Sequence, residues 1–235
     1  MGIARLPKQI VVPSSGPPKG KTLDEYSWEE ISYISSNGLA GEYGFAVGDE
    51  KNITLSTDEA LTLAIMDFDH DDLADGTGKA GMTFGLKNLM TDGVPYFSGN
   101  TDSFIGSPLY TKLIDEVLPA LPTDLQAVLK TVNKKTSAGG QSTTIITNAI
   151  KLFLFCESEI FGETTYSVPG EGMQYTYFTT QSNRIKFMAN GAGNSNYWWQ
   201  RSPYKSGNYF LVVSTSGGPS RPAGETSGVC FGFCV

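Results

Sequence analysis

The C-terminal stretch "NYWWQRSPYKSGNYFLVVSTSGGPSRPAGETSGVCFGFCV" constrains the fold more than any other part of the chain. Two adjacent tryptophans and an Arg-Ser-Pro lead into small, polar and glycine-rich positions, and an apolar "GVCFGFCV" closes it. Adjacent side chains of an extended segment point to opposite faces. One of Trp198 and Trp199 is therefore expected in the core and the other facing out or into a pocket, with core packing accounting for at least one.

The apolar runs elsewhere are short ("LFLF"), and none approaches the ~20 residues of a membrane-spanning helix. The opening "MGIARLPKQIVVP" lacks the continuous apolar core of a secretory signal, so no export signal is expected. It also lacks Ser or Thr at the sixth position, which weakens a myristoylation reading. Three cysteines, Cys156, Cys230 and Cys234, do not make a disulfide framework. On a strand, Cys230 and Cys234 would lie roughly 13 Å apart, so buried free thiols are expected. A formal net charge of -7 argues against nucleic acid as the main partner. The acids concentrate in residues 51–130, and the stretch after 130 is mildly basic.

Four prolines in "PKQIVVPSSGPPKG" predict an extended arm over residues 1–21 rather than a packed element. A domain over 22–235 follows. Thr22 and Glu25 form a capping box, and Leu23, Trp28, Ile31 and Ile34 supply an apolar stripe, predicting a helix stopped at Asn37-Gly38. "FAVGD", "NITLS" and "ALTLAIMDF" read as strands. Ser107-Pro108 starts a helix in "PLYTKLIDEVLPAL", and "TDLQAVLKTVNKK" places Leu125, Val128, Leu129 and Val132 on one helical face. Residues 136–144 read as polar loop and "NAIKLFLFCESEIFG" as an apolar run ending in a turn. Short aromatic segments from "MQYTYF" onward predict an antiparallel end-piece. The class is α+β, loop-rich, with two central helices and a mixed, mostly antiparallel sheet.

Several groups invite chemistry. Asp67, Asp69, Asp71, Asp72 and Asp75 could bind a cation, but the EF-hand pattern fails and a solvated loop is expected. His70 is the only histidine; without a second ligand a zinc site would be incomplete, and loop hydrogen bonding is the expected role. No nucleophile elbow or phosphate-binding glycine spacing is present. Glu157 and Glu159 in "CESE" read as one side of a sheet edge. No catalytic residue, metal or cofactor is assigned.

The pattern W-W-x-R-S-P, a variable run, then G-V-x-x-x-F resembles the C-terminal signature of a domain family common in phages and prophages of gut bacteria. The resemblance extends upstream through "LDEYSWEEISYIS", "VGDEKNITL", "DFDHDDLADGTGKAGMTFGLKNLM", "LPTDLQAVLKTVNKKTSAG", "IFGETTYSV" and "QYTYF". That family is similar to C-type lectin-like domains, the fold of formylglycine-generating enzymes and of the variable proteins of diversity-generating retroelements. The resemblance implies a C-type lectin-like fold and a non-enzymatic, virion tail-associated receptor-binding protein. It would assemble in the host cytoplasm and adhere to a host cell-surface receptor, protein or glycan. Arm 1–21 would attach to other tail proteins, and the protein would be a homo-oligomer, a trimer being compatible, with no membrane insertion.

Trp198, Trp199, Arg201 and Pro203 on one side and Val229, Phe231 and Phe233 on the other are then inward anchors. Arg201 is expected to hold a loop carbonyl or carboxylate. Between them, segment 204–227 would carry a variable ligand face of Tyr204, Lys205, Asn208, Tyr209, Leu211, Ser214, Ser216, Ser220, Arg221, Glu225 and Ser227, residue types shared with antibody paratopes. The sugar-binding motifs of true C-type lectins are absent, so calcium-dependent carbohydrate binding is not implied. The alternatives are a structural baseplate or capsid-decoration protein, and an oxidoreductase binding copper through Cys230 and Cys234.

Overall fold

A computed structural model describes residues 16–95, 103–188, 193–222 and 226–235. In chain order the strands are β1 Glu50–Thr54, β2 Ala60–Phe68, β3 Met82–Leu86, β4 Val132–Ser137, β5 Ile145–Ile150, β6 Leu152–Leu154, β7 Trp198–Pro203, β8 Phe210–Val213, β9 Pro219–Ser220 and β10 Phe231–Cys234. The α-helices are α1 Trp28–Ser36, α2 Pro108–Thr111, α3 Leu118–Ala120, α4 Thr123–Val128 and α5 Glu157–Phe161, with a π-helical turn Lys112–Val117 joining α2 to α3. The class is α+β with short helices. Every pairing between named strands is antiparallel.

The largest sheet has the order β1-β2-β3-β10-β6, beside a β4-β5 ribbon and a β7-β8-β9 sheet. Chain segments far apart in sequence thus meet at β10, which lies between β3 and β6. Gly85 and Gly232 face each other across β3 and β10. A Cβ at either would come within 2.7 Å of Phe155 Cζ, so this glycine pair makes the space in which the Phe155 ring sits. Helix α1 lies against the same sheet, Trp28 packing edge-on to Phe84 and Phe233 at 5.3 and 5.8 Å between centroids.

Local signals explain the helix starts. Ser27 and Glu30 form a capping box at the start of α1, with the Ser27 hydroxyl accepting from Glu30 N. Thr22 and Glu25 make the expected mutual contacts too, but around a separate 3-10 turn, Leu23–Glu25. Leu23, Trp28, Ile31 and Ile34 are all buried, Asn37 caps the helix and Ser107 caps α2.

Several expectations are corrected. "FAVGD" is a turn rather than a strand. The chain leaves the helix at Leu129, whose ψ is 123°, and Val132–Ser137 pairs with Ile145–Ile150 as a ribbon. Part of residues 136–144 therefore belongs to a strand. "CESE" opens a helix: Glu159 accepts from Cys156 N at 3.0 Å in a capping box. "MQYTYF" contains a 3-10 turn, Thr176–Thr179. Both tryptophans are fully buried, because β7 is covered on both faces; Trp198 donates to Arg184 O and Trp199 to Val94 O, each at 2.9 Å.

Residues 1–15 of the expected arm lie outside the described residues. Its last part is packed: Gly16 and Pro17 are buried, Tyr43 donates to Pro17 O at 2.8 Å and Tyr26 to Pro18 O at 2.9 Å. No helix among the described residues is long and apolar enough to cross a membrane.

Candidate functional site

Two regions concentrate polar side chains, and their chemistry is opposite. The first is a buried charge network under a cavity of about 300 Å³, whose lining includes His70, Asp71, Lys134, Glu159, Glu171 and Met173. Lys134 Nζ donates to Asp71 Oδ1 at 2.6 Å and Tyr175 Oη at 2.8 Å, and lies 2.6 Å from Glu159 Oε1, which engages all three of its donors. Arg201 donates through both terminal nitrogens to Glu159, with 2.8 Å at Oε1. Its remaining donors reach Leu154 O at 2.8 Å, Glu171 O at 3.1 Å and Lys135 O at 3.2 Å. Arg201 therefore holds a carboxylate and three carbonyls inside, two of them on strands β4 and β6 and the third in the loop at Glu171.

Electrostatics follow from that geometry. Burial alone would raise the Asp71 carboxyl, but the Lys134 ammonium and the neighbouring His70 hold it well below the usual range. Burial also works against ionised Glu159, and Arg201 with Lys134 reverses it and leaves that carboxyl lowered. Glu171 behaves differently: burial pushes it up despite hydrogen bonds from Ser202 and Ser137. The polar groups on the cavity floor are occupied by one another. The exception is His70 Nδ1, which has no hydrogen-bond partner and lies 3.6 Å from Asp71 Oδ1. His70 otherwise does loop work, its Nε2 3.2 Å from Met173 O and its ring stacked on Tyr175 at 3.9 Å.

The acidic loop is not one solvated cluster. Asp71 is buried, Asp72 pairs with Lys79, Asp75 accepts from Thr77 and Asp67 accepts from Thr176 N. No group of three or more His, Cys, Asp or Glu among the described residues could hold a metal ion. Glu157 is fully buried and accepts from the backbone N–H groups of Tyr166 and Ser167. The thiols are free and buried. Burial pushes the Cys156 thiol up to about 12. Cys230 donates to Leu86 O beside Lys186, whereas Cys234 lies against Asp71 and Thr83, and burial raises both.

The second region lies at the surface, with Lys205, Asn208 and Arg221 exposed and Tyr166, Tyr204 and Tyr209 half-buried. The β7–β8 connection closes with Tyr204 N donating to Tyr209 O at 2.9 Å, and the two rings stack at 5.1 Å with an 18° interplanar angle. Gly207 makes room for that stack, since a Cβ there would meet Tyr204 Cδ1 at 2.6 Å and Tyr209 Cε1 at 2.9 Å. Tyr166 meets Tyr204 edge-on at 6.1 Å. Lys205 ties the two loops together, its N donating to Tyr166 O at 2.9 Å and its Nζ to Thr165 O at 2.8 Å. Arg221, just beyond β9, lies over the Tyr204 and Tyr166 rings at 5.8 and 5.9 Å.

The structure thus brings Tyr204, Lys205, Asn208, Tyr209 and Arg221 to one end of the β7–β8 hairpin. Ser214 and Ser216 sit in the turn at the opposite end of β8, where the Ser214 hydroxyl accepts from Gly218 N and Gln181 donates to Ser216 O. Ser220 is half-buried in β9, opposite Val212. Two candidates are corrected. Leu211 is fully buried because β8 is covered on both faces, and Ser227 is buried where it forms a two-way backbone bridge with Val94. Glu225 lies outside the described residues. Tyr166 was missed; its only signal was an aromatic residue within the turn-rich "GETTYSVPG". The inward anchors Trp198, Trp199, Arg201, Pro203, Val229, Phe231 and Phe233 are all buried.

No curated protein and no solved structure matches the chain. Residues 87–230 match the family described as Domain of unknown function (DUF6273). That stretch holds the entire exposed patch, with Lys134, Glu159, Glu171 and Arg201 of the buried network. It spans more than half of the chain, which therefore belongs to the DUF6273 family.

Proposed function

We propose that this chain is a recognition protein of a phage virion tail, binding a host-surface receptor through the exposed end of the β7–β8 hairpin. One observation carries the reading. Tyr204, Tyr209, Tyr166, Lys205 and Arg221 form a surface cluster, while the residues flanking their hairpin, from Trp198 to Pro203 and from Phe210 to Val213, are all buried. Binding side chains on a rigid support can change without unfolding the support. Rigid tyrosines with adaptable polar neighbours are also the composition of paratopes.

The C-type lectin-like fold is part of this proposal. It is supported by the loop-rich second half, the short helices and the placement of the C-terminal strand inside an antiparallel sheet. The virion setting, the attachment arm and the homo-oligomer rest on the resemblance of the C-terminal signature. The oxidoreductase alternative fits the residues less well, because Cys230 and Cys234 are raised thiols engaged with different partners. Two thiolates converging on one soft metal would need the reverse.

The test is a library randomised at Tyr204, Lys205, Asn208, Tyr209 and Arg221, displayed on the virion or coated on beads. The expected result is that most members fold with unchanged far-UV spectra while adsorption to host cells is lost or redirected. Adsorption indifferent to these positions would favour a structural baseplate or decoration role instead.

A further inference from the structure

We infer that Arg221 is the anion-recognition centre of the exposed patch, taking the carboxylate or phosphate groups of a repeating anionic surface polymer. The inference rests on the recognition reading and names the chemistry of its ligand. Arg221 is exposed, yet its guanidinium is not free to wander: it lies over the Tyr166 and Tyr204 rings, at 5.9 and 5.8 Å from their centroids. A guanidinium stacked this way keeps its planar fork of donors for an oxyanion and loses less freedom on binding. The ion pairs among the described residues engage Lys19, Lys21, Lys79, Lys87, Lys112, Lys134 and Arg201, but neither Arg221 nor Lys205. Lys205 uses its Nζ on the Thr165 carbonyl, which places a second positive charge on the same pair of loops without neutralising it.

The rest of the protein uses its cations otherwise. Lys134 and Arg201 are saturated by carboxylates and carbonyls, and Lys186 is buried against the carbonyls of Leu86 and Lys87. A body of net charge -7 repels polyanions in general, so a local cationic and aromatic patch confines their approach to one end of one hairpin. A single exposed charge pair is weak and screened by salt. Useful affinity then requires many anions presented together, which a polymer supplies to several copies of the patch at once.

The experiment uses the full chain on surfaces coated with poly(glycerol phosphate), polygalacturonate or neutral dextran. Wild type is compared with Arg221→Ala, Arg221→Lys and an exposed control between β5 and β6, Lys151→Ala. The two anionic coatings separate a phosphodiester source from a uronate source. The expected result is retention on one anionic coating at low salt, tenfold or more weaker for Arg221→Ala, weakened for Arg221→Lys and unchanged for Lys151→Ala. Equal retention on dextran, wild-type retention by Arg221→Ala, or no retention on either anionic coating overturns the inference. If the randomised patch abolishes adsorption to cells while neither anionic coating retains the protein, recognition stands, the ligand is of another class such as a protein receptor, and only the anion assignment falls. If the randomised patch leaves adsorption intact, the recognition reading falls as well.

Discussion

The protein holds two arginines on one three-stranded sheet system and uses them in opposite ways. Arg201, on β7, is buried with its donors consumed by Glu159 and the carbonyls of Lys135, Leu154 and Glu171. Arg221, just past β9, is exposed and leans on tyrosine faces, and no carboxylate among the described residues pairs with it. A buried charge must be matched on the spot, so its neighbourhood tolerates little change. An exposed charge on an aromatic platform costs the fold little and remains available to a ligand. The lesson is that position relative to water, not residue type, separates scaffold from surface within this hairpin.

The sharpest way to break that contrast is at Arg201. Arg201→Met leaves Glu159 buried and short of its strongest partner, and loss of one member of a buried ion pair costs about 3–5 kcal/mol. Against the 5–15 kcal/mol typical of whole domains, that is a large share of the stability. A fall in Tm of roughly 10 °C or more is expected by calorimetry. A loss near the ~1 kcal/mol of a surface pair would show that the network is not structural.

A smaller effect comes from pH. Asp71 and Glu159 are held below their ordinary values in the fold, so the stability they contribute is present above pH ~4 and lost as pH falls through their lowered values. Lys186 carries the opposite sign of burden. Burial lowers its pKa and no carboxylate among the described residues answers it, so the unfolded chain binds more protons between that lowered value and 10.5. Stability should rise with pH across that window, and Lys186→Met should flatten the rise. Denaturant midpoints from pH 3 to 10 measure both, and an unchanged slope in Lys186→Met would remove the lysine from the account.

How much of this was legible depended on how local the cause is. The Ser107 cap, the stop at Asn37-Gly38 and the stripe of α1 all rest on neighbours within a turn or two, and all were readable. The Ser27–Glu30 capping box was equally local and was passed over in favour of Thr22–Glu25, which contacts the same way around a 3-10 turn. Val132 read as helical because its pattern continued from Leu125, whereas its strand pairing with Ile150 is a tertiary contact that spacing does not show. The buried network was the least visible part. Asp71 and Lys134 are 63 residues apart, and Glu159 and Arg201 are 42 apart, so each looked like an ordinary loop or edge charge alone. Arg201 was the exception, and its inward placement came from the resemblance of the C-terminal signature rather than from its neighbours. Of the candidate residues, Tyr204, Lys205, Asn208, Tyr209 and Arg221 do lie together at one end of the β7–β8 hairpin, and their binding of a ligand is the proposal. Leu211 does not join them, because the segment does not reveal that β8 is covered on both sides.

The smallest expected effect is the counterpart of the first. Arg221→Ser, Lys205→Ser and Asn208→Ser, made together, remove three exposed side chains, two from the tip of the hairpin whose base Arg201 supports and one from just past β9. Surface substitutions away from caps and strained positions leave stability nearly unchanged, so the triple variant should melt within about 2 °C of wild type. Gly207→Ala, a smaller chemical change at the same loop, should do more to the site, because its Cβ would press into Tyr204 and Tyr209 and unseat their stack. Near-UV circular dichroism reports that stack, and thermal melts report the fold. If the triple variant melted as low as Arg201→Met, the exposed patch would be part of the scaffold, and the division between a matched interior and an available surface would fail.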